Sequence, residues 1–192
     1  MGDMERRSAL QPAKFETREA GEDLYIEGYF SVFNSDYEMW PGYTESVDPH
    51  AFDETLDEDI RCLINHDSSL VLGRTKSKTL DLRVDDHGLW GRVQVNPNDQ
   101  DAVNLYERVK RGDVDQCSFG FQIEEQDAKW GADDSVHVTL MKVRLYEVSI
   151  VTFPAYEDTS VEARKRDFEE IKAKRVEQLR SGLRRKLKKE DA

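Results

Sequence analysis

Residues 99–124, DQDAVNLYERVKRGDVDQCSFGFQIE, decide the fold class, because within them the chain passes from its one helix-length amphipathic segment directly into a strand. Ala102, Leu105, Tyr106 and Val109 recur at helical spacing, Asn98 stands in position to cap the start, and Gly112 ends the run. A helix is therefore predicted over Asp99 to Arg111. From Gln116 to Glu124 the period changes to two: Cys117, Phe119, Phe121 and Ile123 alternate with Ser118, Gly120 and Gln122.

Working outward, the same period of two marks Leu24 to Phe33, interrupted by Gly28 as a bulge, then Ile60 to His66, Leu70 to Arg74, Thr79 to Val84 and Leu89 to Val95. Downstream it marks Val136 to Val143 and Leu145 to Phe153, where Pro154 stops it. A turn through Asp85, Asp86, His87 and Gly88 joins one pair as a hairpin, and a loop around Trp130 and Gly131 precedes the last pair. Asn34 to Gly42 reads as a long loop, and Asp48-Pro49 opens a short helix that buries Phe52 and Leu56. About seven or eight short strands with a single helix-length crossover exclude a βαβ sheet. The expected fold is a β-rich α+β protein, a mostly antiparallel, closed or nearly closed barrel with flanking helices.

The 192 residues carry 28 Lys+Arg and 40 Asp+Glu, a formal charge of −12, and this charge is unevenly divided. From Val161 onward twelve basic residues face seven acidic ones, giving a +5 tail on a −17 body. Three parts are expected: a disordered arm over 1–22, a barrel domain over 23–158 and a basic amphipathic helical tail over 159–192. Thr159 and Glu162 form a capping-box pattern, and Phe168, Ile171, Val176, Leu179, Leu183 and Leu187 make a thin apolar stripe on the tail. No apolar run long enough to span a bilayer is present, and no apolar segment follows the charges of MGDMERRSAL, which predicts a soluble protein of the cytoplasm. Cys62 and Cys117 lack CxxC partners and read as reduced core residues.

Three strands carry residues whose chemistry requires comment. His66 ends the apolar strand of Cys62, Leu63 and Ile64, where an imidazole either acts as a base or satisfies backbone groups. Ser118 lies on the strand face opposite Cys117, beside Gly120, which offers no side-chain bulk; it is either reachable by a substrate or paired across the sheet. Glu147 lies in the apolar strand Leu145 to Val151, where a carboxylate needs a partner, either a cation such as Arg144 or an imidazole whose tautomer it fixes. His137 stands in a strand beside acidic residues, and His50 and His87 stand in polar surroundings. A metal site of His50, His66, Asp67 and His87 has no recognised ligand spacing.

The surroundings of these residues resemble the prohead (capsid maturation) serine proteases of tailed phages of the HK97 type, which are related in fold to the herpesvirus assembly proteases. The resemblance runs from about Gly28 to Tyr156 and is carried by an ordered set of fragments. These are Gly28-Tyr29-Phe30-Ser31-Val32-Phe33, Glu45-Ser46-Val47-Asp48-Pro49-His50-Ala51-Phe52, Asn65-His66-Asp67, Leu72-Gly73-Arg74, Asp86-His87-Gly88-Leu89, Arg111-Gly112, Cys117-Ser118-Phe119-Gly120-Phe121, and Glu147-Val148-Ser149-Ile150-Val151-Thr152-Phe153-Pro154-Ala155. The family usually has Gly where this chain has His50. The resemblance implies that His66 and Ser118 are catalytic, with Glu147 as the third member and His137, by analogy with the herpesvirus relatives, as its competitor. It implies a barrel and no metal or organic cofactor; it does not identify the oxyanion donors, for which a backbone N–H and Arg74 are the candidates. The partners it implies are the major capsid protein with its scaffolding segment, self-association with self-cleavage, and action inside the immature head in the host cytoplasm. Cys117 is the rival nucleophile. A non-catalytic structural or scaffolding part of the prohead is the alternative function, and the tail is expected to dock on an acidic scaffold or capsid surface, or on DNA phosphates, or simply to be a solvated helix.

Overall fold

Asp99 and Gly112 bound the helix of the computed structural model, α1 (Gln100–Arg111). The Asp99 carboxylate accepts from the Asp101 and Ala102 amides, taking the capping place expected of Asn98 one residue earlier. Gly112 adopts φ 84°, the left-handed conformation that closes a helix with bonds back to its last carbonyls. Ala102, Leu105, Tyr106 and Val109 are buried, as their spacing requires. The structure describes residues 4–8, 15–21, 23–153, 168–169, 171–182 and 184–185, and the chain divides into two units between residues 155 and 156.

Eleven strands are formed among the described residues: β1 (Glu5–Ser8), β2 (Glu16–Ala20), β3 (Asp23–Val32), β4 (Tyr37–Trp40), β5 (Tyr43–Val47), β6 (Arg61–Ile64), β7 (Asp67–Arg74), β8 (Leu80–Val84), β9 (Gly88–Val95), β10 (Gln116–Trp130) and β11 (Val136–Val151). They make two sheets. One is a four-stranded antiparallel sheet in the order β2-β3-β9-β8. The other has seven strands, with β1-β10-β11-β5-β4 in a row and β6 and β7 joined to it through β11.

The expected closed or nearly closed, mostly antiparallel barrel is not what forms: both sheets are open, and the larger one is mixed. Two features account for this. The segments read as separate strands around Arg144 are one strand, β11, which runs sixteen residues beside the fifteen of β10. There is no break at Arg144, which pairs in register with Gln122; the nearby register irregularity falls at Tyr146, where Gly120 faces Glu147 and the next residue, Phe121, faces Leu145. Along its other edge β11 pairs in parallel with β5 over Val136–Leu140 and again in parallel with β6 over Glu147–Ile150. Between those two strands the edge is met by the loop after β5: Asp48 N donates to Leu140 O, Val143 N to Ala51 O, and Leu145 N to Thr55 Oγ1. That loop is a run of turns with i to i+3 bonds, not the short helix expected after Asp48. The second feature is that β1 and β2 lie on the outer edges of β10 and β3. Both come from the segment expected to be a disordered arm; the remaining residues of that segment lie outside the described ones.

Further differences are local. The loop over Asn34 to Gly42 contains β4, and the irregularity in β3 falls between Tyr29 and Ser31 instead of at Gly28, which pairs in register with Gly91. The core lies between the sheets and under α1, with Phe33, Phe52, Phe119 and Phe121 in a continuous series of ring contacts. Residues 168–169, 171–182 and 184–185 of the second unit are helical, with Val176 and Leu179 exposed. The capping pattern of Thr159 and Glu162, and Leu183 and Leu187 of the stripe, lie outside the described residues. No helix among the described residues is long and apolar enough to cross a membrane.

Phe52 is fully buried and fastens the turn run that supplies three hydrogen bonds to the middle of β11. Phe52→Ala should therefore cost about 3–5 kcal/mol of unfolding free energy, read from the midpoint of urea denaturation, with an unchanged slope.

Candidate active site

Ile64 of β6 pairs with Asp67 of β7, which leaves Asn65 and His66 as the two central residues of the hairpin. Both have positive φ, 52° and 60°, as a two-residue turn between twisted strands demands. Asparagine tolerates this conformation; histidine adopts it far less readily, so His66 is held there by its surroundings. Asn65 supplies the anchor, donating its amide to Ile150 O at 3.0 Å and accepting from Thr152 N through Oδ1 at 2.8 Å. The hairpin tip is thereby tied to the end of β11.

The register of the β10–β11 ladder sets the rest of the site. Ser118 faces Ser149 and Gly120 faces Glu147, so these four share one side of the sheet. The Glu147 carboxylate is buried, with Oε1 2.7 Å from His66 Nδ1 and Oε2 accepting from Ser149 Oγ at 2.6 Å. Arg6 Nε lies 3.9 Å from Oε1. An ionised carboxylate only accepts, so this contact calls for a proton on Nδ1; in the neutral ring the lone pair is then on Nε2. His66 Nε2 is buried and has no hydrogen-bond partner among the described residues. A β-carbon on Gly120 would stand 2.5 Å from Glu147 Oε1, so the carboxylate occupies space that only glycine leaves open.

Ser118 is fully buried, and its hydroxyl donates to the Arg7 carbonyl of β1 at 2.8 Å. Nucleophile candidate, base candidate and carboxylate thus lie on adjoining strands, with the carboxylate–imidazole contact made and the serine hydroxyl engaged by β1. Cys117 points to the other face, where its thiol donates to Tyr29 O and Phe30 O. Cys62 is fully buried, and burial, reinforced by the Glu147 charge, pushes its thiol well above the ordinary range.

The remaining sequence candidates are placed elsewhere. His137 lies ten residues before Glu147 on β11, roughly 30 Å along an extended strand. Its ring nitrogens contact Thr44 Oγ1 and Ser46 Oγ. Arg144, the cation considered for Glu147, bonds to Glu58. Arg74, considered as an oxyanion donor, forks onto Asp59 and holds that carboxyl down to about 2. His50 bonds Asp53, and the His87 ring stands edge-on to Tyr29. No three His, Cys, Asp or Glu side chains among the described residues converge as a metal site would require. Sequence reasoning did not single out Ser149, the anchoring role of Asn65, or the polar group around Arg7. Period-two alternation, which puts Ser149 on the face of Glu147, was the available signal for the first.

Known proteins resemble this chain in sequence and in structure. The sequence profile of the family described as caudovirus prohead serine protease matches residues 11–174. The prohead protease of Enterobacteria phage HK97 is 29% identical over 153 residues, covering 76% of this chain and 62% of its own length. The chain therefore spans less than two thirds of that relative. The structure of the bacteriophage T4 capsid assembly protease aligns with 77% of this chain and 95% of its own at 13% identity and a TM-score of 0.47.

Gly120→Ala should drive the Glu147 carboxylate off His66. The expected result is loss of the low-field Nδ1 proton resonance of His66 in an NMR spectrum, with a folded chain; a resonance unchanged from that of the unaltered protein would show that the carboxylate is not confined by this glycine.

Proposed function

The chain belongs to the caudovirus prohead serine protease family, and from that premise we propose that it is a prohead maturation protease acting through Ser118, His66 and Glu147. The observation that carries this reading is the buried carboxylate of Glu147 set on His66 Nδ1, beside a glycine that makes room for it and on the sheet face of Ser118. A scaffold protein has no need of a buried, desolvated carboxylate–imidazole pair, because such pairs add little net stability.

The mechanism follows from the atoms. Ser118 Oγ leaves the Arg7 carbonyl, gives its proton to His66 Nε2 and forms a bond to a peptide carbonyl carbon. Glu147 holds the imidazole in the tautomer that exposes Nε2 and stabilises the imidazolium as it forms; Ser149 keeps the second carboxylate oxygen in place. His66 returns the proton to the departing amine, and water, deprotonated by the same nitrogen, hydrolyses the acyl-enzyme. Cys117 is not the nucleophile in this scheme, since it faces away from His66. His137 is too far along β11 to serve as the third member.

The substrates are the scaffolding segment of the major capsid protein or a separate scaffold, and the chain itself, cleaved inside the assembling head in the host cytoplasm. The basic helical tail docks on an acidic surface of the capsid or scaffold protein. Its +5 charge supports that role, while DNA phosphates are the competing target.

Co-expression with the capsid protein tests the proposal. Ser118→Ala should abolish processing, and Glu147→Gln should slow it by about 10³- to 10⁴-fold while leaving the nucleophile in place. Capsid processing at the unaltered rate by the Ser118→Ala chain would overturn the assignment, and a chain inactivated by a thiol reagent but not by a fluorophosphonate would transfer the role to a cysteine.

A further inference from the structure

The strand β1 has four residues and lies antiparallel on the outer edge of β10, the strand that carries Ser118. An extended segment added to a sheet edge is how a protein holds a peptide through main-chain bonds while pockets read alternate side chains. β1 behaves as such a peptide. Its Arg7 carbonyl receives the Ser118 hydroxyl at 2.8 Å, so among the residues of β1 it is Arg7 whose carbonyl lies against the candidate nucleophile.

The Arg7 side chain leaves the strand on the opposite face and is 5% exposed. Its guanidinium donates from Nε to Glu45 Oε1 at 2.6 Å and from Nη2 to Glu45 Oε2 at 3.4 Å. Nη2 also reaches Glu5 Oε2 at 2.6 Å, Nη1 donates to Arg6 O, and the group lies 5.6 Å from the Phe121 ring centroid. Glu45 comes from β5, is 2% exposed and has no part in the chemistry at His66. A carboxylate so buried requires a cation, and two-pronged acceptance suits a planar guanidinium better than an ammonium.

We propose that Glu45 determines substrate specificity by reading a basic side chain, arginine above lysine, on the residue that supplies the acyl carbonyl, and that β1 fills this peptide track in cis. The inference rests on the assignment of Ser118 as nucleophile. In the conformation with β1 in place, Ser118 is engaged and the track is closed, so an incoming substrate strand must displace β1.

The test is a binding measurement made without the nucleophile. A fluorescent peptide with the sequence of residues 4–8, Met-Glu-Arg-Arg-Ser, is titrated into full-length Ser118→Ala chains. With Arg7→Ala added, β1 loses its anchor and the peptide should bind at least about tenfold more tightly than to the chain retaining Arg7. A peptide with glutamate in place of its second arginine should lose that gain. Equal binding to both chains, or indifference to the glutamate peptide, overturns the proposal. A second measurement needs no change in β1: against a library of peptides, the Ser118 enzyme should prefer arginine before the cleaved bond by about tenfold or more, and Glu45→Gln should remove the preference. An arginine preference unchanged by Glu45→Gln overturns it equally. Since the binding arm uses chains that cannot cleave, its failure removes the Glu45 assignment and leaves the protease reading to the capsid-processing assay.

Discussion

The long antiparallel ladder between β10 and β11 constrains everything else in the body of this protein. Its register sets Ser118 opposite Ser149 and Gly120 opposite Glu147, and because directly paired residues point to the same side of a sheet, those pairings gather polar groups on the face opposite Cys117 and Phe119. A slip of one residue would turn Ser118 into the core and bring Cys117 out in its place. The ladder continues past the irregularity between Gly120 and Phe121, so the strand that positions the site also carries β5 on its other edge.

Of the buried carboxylates on this framework, Glu147 and Glu45 are treated differently. Glu147 is held by neutral or weakly basic donors, an imidazole and a serine hydroxyl, with the Arg6 guanidinium at 3.9 Å. That arrangement orients a ring and leaves its far nitrogen available. Glu45 is held by a guanidinium at close range, an arrangement suited to recognition because the cation is delivered by a separate, short strand. The carboxylate–imidazole pair and the carboxylate–guanidinium pair therefore lie on opposite faces of one sheet, linked through the β1–β10 pairing.

Much of the local structure was legible in the residues themselves. The helix could be placed from the spacing of Ala102, Leu105, Tyr106 and Val109 and the glycine after it, because a helix of that length depends on interactions a few residues apart. The β8–β9 hairpin was readable for the same reason. The barrel was not, since closure depends on which edges meet. Leu145 to Phe153 looked like a separate strand because the charged Arg144 divides two apolar runs, although it pairs in register with Gln122. β1 and β2 escaped notice because four or five polar residues have no period to detect, and they are strands only because β10 and β3 offer them edges.

At the site, the sequence by itself determined which residues had chemistry to explain: a histidine ending an apolar strand, a serine beside a glycine on the strand face opposite Cys117, and a carboxylate inside an apolar run. Alternation also separated Ser118 from Cys117, because the side-chain period of a strand is fixed by the backbone. Only the tertiary structure decided that Glu147 meets His66 and not Arg144, and that His137 lies elsewhere. Parallel pairing of β6 with β11 brings together positions 81 residues apart, and no local pattern encodes a contact between them. The same holds for Arg7 and Glu45, where a desolvated charge in an unremarkable polar segment finds its partner only once the edge of β10 has gathered β1 to it.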